Sequence, residues 1–180
     1  MSSKLSWREC VPRYQIPRLP AMTTLERVAL AIATGLGSGF AKPMAPSWGS
    51  IPGFLYFVAV SALPHWKAVV VFAALLPVAV WSGTISERLL GTKDPRPVVI
   101  DEIAAVPFAL WPLWIEWPGH LVTWVILFGV YRLADFLKPW PANSLQSLKG
   151  GLGILIDDLI SSLYMGMALL AFIRFCPGWL

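Results

Sequence analysis

The chain alternates long apolar runs with short polar interruptions. Gly49 to Leu63 is the first run and Ala68 to Ser86 the second, joined by the tight turn Pro64-His65-Trp66-Lys67. Ile103 to Ile115 is the third, and Leu121 to Tyr131 opens a fourth beyond Glu116-Trp117-Pro118-Gly119-His120. Leu152 to Ile173 is the fifth, interrupted only by Asp157 and Asp158. There is no formal charge between Lys42 and Lys67, and none again between Lys67 and Glu87. Runs that are apolar on every side predict helices packed in a core or in lipid, not amphipathic surface helices. Most are shorter than the roughly 20 residues a simple spanning helix needs, a gap that flanking residues, tilt or partial insertion can close. Thr23 or Thr24 is placed to cap a further helix from Leu25, which runs into the glycine-rich Thr34-Gly35-Leu36-Gly37-Ser38-Gly39. The pattern predicts an all-α, membrane-embedded bundle of about five to six helices, about four or five of them in the bilayer.

Composition strengthens the membrane reading. Of 180 residues 57% are apolar and 13% charged, against roughly 25% charged in a soluble domain. Too few polar groups are present to coat a water-exposed surface. The ten Trp suit the hydrocarbon–headgroup interface. The length fits one domain, taken as residues 23–180. Residues 1–22 carry Lys4, Arg8, Arg13 and Arg18 among prolines, with no continuous apolar core. They read as a flexible basic extension on a membrane surface and not as a secretory signal. Cys10 and Cys176 stand near opposite ends and suggest neither a disulfide framework nor a metal motif. A net charge of +4 suits anionic lipid; nothing resembles a nucleic-acid module, and no protein partner is indicated.

Charge also gives orientation. Lys42 precedes the first run; Arg88, Lys93 and Arg96 lie between the second and third; Arg132, Lys138 and Lys149 lie between the fourth and fifth. If the runs cross in turn, all these cations fall on one face, which the positive-inside rule makes cytoplasmic.

The acidic residues share that face. Seven of ten fall in three places: Glu87, Asp94, Asp101 and Glu102; Asp135; and Asp157 with Asp158. Adjacent carboxylates entering an apolar helix are costly, about 2.5–3.5 kcal/mol each at a helix centre on insertion scales. A compensating cation is therefore expected. Oxygen donors from several loops suit Mg²⁺, which keeps water or substrate phosphate in its shell. His65 and His120 both sit at the opposite turns, which disfavours zinc. Arg132 precedes Asp135 by one helical turn and Lys138 follows. Lys149-Gly150-Gly151-Leu152-Gly153 leads into the last helix, where glycines allow backbone N–H groups to approach an anion. Thr34, Gly35, Gly37 and Ser38 could do likewise, although helix packing and turns explain many such glycines.

Several phosphatase chemistries are excluded. Ile16 occupies the place where a cysteine phosphatase needs arginine after Cys10, and no Asp-x-Asp-x-Thr/Val or Pro-Ser-Gly-His stretch occurs. The paired-aspartate signature of CDP-alcohol phosphotransferases is absent as well.

Three segments remain. Asp94-Pro95-Arg96-Pro97-Val98-Val99-Ile100-Asp101-Glu102 resembles the Asp-Pro-x-x-Val-Val-x-Asp-Glu motif of the phosphatidylglycerophosphatase A family. Tyr131 to Pro141 is similar to its Phe-Arg-x-x-Asp-x-x-Lys-Pro-x-Pro segment, and Gly150 to Asp158 to its Gly-Gly-x-Gly-Ile-x-x-Asp-Asp segment. Thr34–Gly39 and Trp48-Gly49-Ser50 sit where that family has glycine-rich motifs. The resemblance implies an all-helical, Mg²⁺-dependent phosphomonoesterase with its active-site loops at the cytoplasmic face of a bacterial inner membrane. It would convert phosphatidylglycerophosphate to phosphatidylglycerol. Carried over, Asp94, Asp101, Glu102, Asp135, Asp157 and Asp158 become metal-binding candidates, with Asp101, Glu102, Asp157 and Asp158 also catalytic. Arg132, Lys138, Lys149, Gly150 and Gly151, with Thr34, Gly35, Gly37 and Ser38, become phosphate-binding candidates. The chemistry expected is attack of metal-activated water on phosphorus, with a carboxylate nucleophile left open. Ser47-Trp48, Arg96, Ala105 and Ser161-Ser162 depart from the family pattern, but no carboxylate or motif lysine is lost. A transporter using intramembrane acids and a catalytically inactive homologue are the alternatives. The first predicts charges through the membrane depth, whereas these gather near one face.

Overall fold

A computed structural model describes residues 22–40, 45–114, 127–131, 148 and 150–175. Every regular element among them is helical. Helix α1 is Thr24–Ala33, α2 Ala45–Ser61, α3 His65–Leu90, α4 Ile100–Leu110 and α5 Gly151–Phe175. Short 3₁₀ turns at Ser38–Phe40 and Trp111–Trp114 follow α1 and α4, and residues 127–131 are helical. The all-α expectation holds. The basic extension up to residue 21 and most of the fourth apolar run lie outside the described residues. Met22, assigned to the end of that extension, is buried against α1 and its neighbours.

Local signals explain where the helices start and stop. Thr23 caps α1: its hydroxyl accepts from the Glu26 N–H at 3.3 Å, while the Glu26 carboxylate accepts from the Thr23 N–H at 2.9 Å. This reciprocal box satisfies two N–H groups that have no partner within the helix. Gly91, with φ of 66°, ends α3 in the left-handed region that glycine enters without steric cost. The helix opens at His65 directly after Pro64, so the predicted turn is tighter than four residues.

Not all of the runs are built to cross a bilayer. Helix α3, at 26 residues, is about 39 Å long, and α5, at 25 residues, about 37 Å. These two are long and apolar enough to span, and both leave large apolar side chains exposed, among them Val69, Val70, Leu163 and Phe172. Helix α2 has 17 residues and an internal Pro52. Helix α4, the third run, has 11 residues, or about 16 Å, roughly half the hydrocarbon thickness. Its residues from Ile100 to Pro107 are all buried. It packs on α5 and α2 most extensively, and on α3 and α1. The expectation of four or five bilayer helices thus narrows, among the described residues, to two of spanning length. The physical reason is that an all-round apolar helix can be surrounded by protein as well as by lipid.

Two apolar clusters flank the polar interior. One gathers Val98, Val99, Ile100, Ile103, Ile154 and Leu155 with α1 residues, and the other Phe57, Phe72, Val106, Leu110, Met165 and Leu169. On α5 the buried Asp157, Asp158, Ser161 and Ser162 stand between the contributions to each cluster. An apolar groove of about 390 Å³ opens between α3 and α4, lined by Phe72, Leu76, Pro107, Phe108 and Trp111 among others.

Candidate active site

Four carboxylates are removed from solvent where α4 meets α5. Asp101 and Glu102 occupy the first turn of α4, and Asp157 and Asp158 lie two turns into α5. Their exposures are 7%, 6%, 1% and 4%, so none is a solvated helix-end acid. Acidic groups in the first turn of α4 gain from its dipole. That gain, about 0.3–1 kcal/mol, is small beside the several kcal/mol that desolvating an ion costs.

Asp101 is the centre of this group. Burial pushes its carboxyl well above the ordinary range, and the charges of Glu102 and Asp94 push it further. Hydrogen bonds to the Glu102 backbone and to the Asp158 carboxyl act in the opposite sense. The Asp101–Asp158 contact joins α4 to α5, and Asp94 brings in the loop before α4. Asp94 is exposed and has φ of 47°, a left-handed conformation uncommon for a residue with a side chain. Such backbone is retained where the surroundings fix it, often at functional sites.

Ser50 of α2 supplies a partner that the sequence did not assign. Its hydroxyl donates to Glu102 Oε2 at 2.6 Å, buried from solvent. A charge-assisted bond of that length holds the carboxylate in one orientation. Asp101 Oδ1, in contrast, is a buried oxygen with no hydrogen-bond partner, as are Ser86 Oγ and Ser161 Oγ. A buried acceptor left in that state costs about 1–3 kcal/mol unless something fills it.

The glycine-rich segments are tied into the scaffold. The Gly151 N–H donates to Thr84 Oγ1 at 2.8 Å, and that hydroxyl donates to the Val80 carbonyl at 2.6 Å. A Cβ on Gly151 would collide with the Val80 carbonyl oxygen, and one on Gly153 with that of Leu148. Gly151 thus lets α5 approach α3 closely, and Gly153 lets the first turn of α5 pass the Leu148 backbone. The Thr34 hydroxyl donates to the Leu30 carbonyl at 2.8 Å and accepts from the Gly37 N–H at 3.2 Å, while Ser38 Oγ donates to the Thr34 carbonyl at 3.3 Å. Gly35 lies against Val99 and Ile103, and the Val99 N–H donates to the Ala33 carbonyl at 2.8 Å. The segment therefore props the start of α4. Arg132, Asp135, Lys138 and Lys149 lie outside the described residues.

The buried acids, borne on the first and third of the three motif segments, have counterparts. Residues 31–173 match the family model described as phosphatidylglycerophosphatase A. The chain belongs to the phosphatidylglycerophosphatase A family. A Bacteroides thetaiotaomicron protein provisionally named a phosphatidylinositol-3-phosphatase is 30% identical over 155 residues, covering 82% of this chain and 94% of that one. The phosphatidylglycerophosphatase A of Haemophilus influenzae is 30% identical over 74% of this chain and 81% of its own. That of Escherichia coli is 27% identical over 72% and 74%. No solved structure matches significantly. Within this family member, Ser50 and Thr84 are the site-supporting residues that the sequence did not assign. Ser50 had a faint signal in its place next to Trp48-Gly49, and Thr84, inside an uncharged run, had none.

Proposed function

We propose that this chain is a Mg²⁺-dependent phosphatase that hydrolyses phosphatidylglycerophosphate to phosphatidylglycerol and inorganic phosphate. The observation that carries the reading is the buried junction of Asp101, Glu102, Asp157 and Asp158 in a member of the phosphatidylglycerophosphatase A family.

The donor set suits a hard cation. Among the described residues no three His, Cys, Asp or Glu side chains are grouped to cage a metal by themselves. Mg²⁺ seldom asks for such a cage; one or two carboxylates with water and substrate phosphate are its usual ligands. Asp101, with its unfilled Oδ1, and Asp158, hydrogen-bonded to Asp101, would hold it. When bound, Mg²⁺ supplies positive charge that offsets the phosphate's negative charge.

The chain's own residues do the rest. Glu102, oriented by the Ser50 hydroxyl, is placed to take the proton of the attacking water. The oxygen–phosphorus bond to water forms as the bond to the headgroup glycerol oxygen breaks, and that oxygen receives the proton that Glu102 took from the water. The apolar clusters on both sides exclude bulk water and strengthen these electrostatic interactions. Two spanning-length helices in a lipid-phosphatase family support membrane association. We place the protein, as a multi-pass protein, in a bacterial inner membrane with this site at the cytoplasmic face.

Phosphate release from phosphatidylglycerophosphate and from phosphatidate, each with Mg²⁺ and with a chelator, tests the reading. Release is expected from the first lipid with Mg²⁺ and is expected to stop in the chelator. Equal release in chelator would remove the metal, and no release from phosphatidylglycerophosphate would remove the substrate.

A further inference from the structure

A second polar concavity lies at the charged end of α3, separate from the buried carboxylates. It encloses about 420 Å³, and its walls include Thr84, Glu87, Arg88, Thr92, Lys93 and Gly150. That volume lies within the usual range for small-ligand sites, roughly 300–1,000 Å³. Its walls carry two cations, and they also carry buried polar atoms without partners. Thr92 Oγ1 and Glu87 Oε2 are both out of solvent with no hydrogen bond. Thr84 is different, because its hydroxyl is already engaged by Val80 and Gly151. It closes the wall.

We propose that this cleft binds the second phosphate of the substrate, the diester between the headgroup glycerol and diacylglycerol, together with that glycerol's free hydroxyl. The assignment rests on the phosphatidylglycerophosphate reading above and adds to it the source of headgroup selectivity. The chemistry of the wall decides the ligand class. An anion alone would satisfy Arg88, Lys93 and the Thr92 hydroxyl but would leave Glu87 Oε2 facing negative charge. A polyol alone would satisfy Glu87 and leave the exposed Arg88 and Lys93 without an anionic partner. A phosphoglycerol unit offers acceptors to the first three and a hydroxyl donor to Glu87.

The cleft also adjoins the carboxylate site. Lys93 is followed directly by Asp94, whose charge acts on Asp101. Gly150 leads into α5, where Asp157 lies six residues after Gly151, about 9 Å along the axis. A headgroup whose two phosphates are separated by one glycerol would place the monoester at the acids and the diester in the cleft. Phosphatidate has neither the diester nor the hydroxyl.

Lys93 is the better probe, since Arg88 also acts on Glu26 at the start of α1. With full-length protein in detergent–lipid mixed micelles and Mg²⁺, Lys93→Gln is expected to raise KM for phosphatidylglycerophosphate about tenfold. Its kcat should stay within about twofold, because the contact is made equally in ground and transition states. Lys93→Arg should restore most of the loss, and Thr92→Val should raise KM in the same direction. A fall in kcat at constant KM, or no change in KM for Lys93→Gln, would overturn the assignment. Glycerophosphoglycerol, which carries the diester and hydroxyls but no monoester, gives a second arm by titration calorimetry. It should bind the wild type and bind Lys93→Gln about tenfold more weakly; equal binding by both proteins would overturn the assignment. A wild type that binds glycerophosphoglycerol but releases no phosphate from phosphatidylglycerophosphate would sink the reaction and leave the cleft standing.

Discussion

Asp101 stands at the first turn of a helix too short to span a bilayer, with one buried oxygen that no donor reaches. Burial first, and then the charges of Glu102 and Asp94, hold its carboxyl above the ordinary range. In the unfolded chain an aspartate titrates at about 3.9. The protonated form therefore favours the fold, a contribution complete below that value and lost as pH rises through the higher folded value. In chelator, wild-type thermal stability is expected to fall across that window relative to Asp101→Asn, which cannot ionise and should show a flatter dependence. Mg²⁺ should restore wild-type stability above the window and do little for the variant. The same variant should release no phosphate, because an amide cannot offset a divalent charge. Melting curves against pH, with and without Mg²⁺, read the first effect. Parallel curves for the two proteins would show that Asp101 is not the residue whose ionisation strains the site. Ser50 makes the complementary point: Glu102 already has a short, buried donor, so its charge is held in place and is not left unmet.

At the scale of elements, the junction of α3 and α5 depends on Gly151. Its missing Cβ lets the two backbones meet at the Val80 carbonyl and the Thr84 N–H. Gly151→Ala should therefore force α3 and α5 apart and cost about 1–3 kcal/mol, seen as a lower melting temperature in detergent. An unchanged melting temperature would mean the close approach is not needed. This element also shows what was legible beforehand. The acidic pair at Asp157 and Asp158 stood out because charge inside an apolar run is expensive, and a cap at Thr23 or Thr24 because a threonine precedes the helical stretch from Leu25. Gly150 and Gly151 read as phosphate-binding candidates; the Gly151 N–H donates to Thr84 and its Cβ position meets the Val80 carbonyl, while Gly150 lines the cleft at the end of α3. Sequence shows that backbone can approach something at a glycine, and does not show what. Helix α4 was read as one more bilayer run for a related reason. Hydropathy registers removal from water, and the interior of a bundle removes Ile100 to Pro107 from water as completely as lipid would. The roles of Ser50 and Thr84 were not legible because single hydroxyls in apolar runs are common, and their partners lie 52 and 67 residues away.

For the whole molecule, the ends of the two long helices fix which groups share a face. The α3 residues Gly83 and Thr84 touch Gly151, so the end of α3 lies beside the start of α5. The opposite ends carry the exposed Trp66 and Lys67 on α3 and Arg174 and Phe175 on α5. Arg88, Lys93, Asp94 and Arg96, at and just beyond the end of α3, therefore lie toward the start of α5, while the start of α3 offers an indole and a lysine in cation–π contact at 5.4 Å. If α3 and α5 cross the bilayer, the positive-inside rule predicts that the face richer in cations is cytoplasmic, and the proposed phosphate site would open there. Anionic lipid would then be drawn to the side on which the monoester must be cleaved. Two single-cysteine proteins, with Cys10 and Cys176 replaced by serine, test this. Arg96→Cys and Trp66→Cys each place a thiol at an exposed position, on opposite faces. A membrane-impermeant maleimide should label Arg96→Cys in inside-out vesicles and leave it unlabelled in intact spheroplasts, with Trp66→Cys giving the reverse. Labelling of both from the same side would mean that α3 does not cross. The reverse pattern would put the acids on the outer face, where neither the charge asymmetry nor the proposed substrate would reach them.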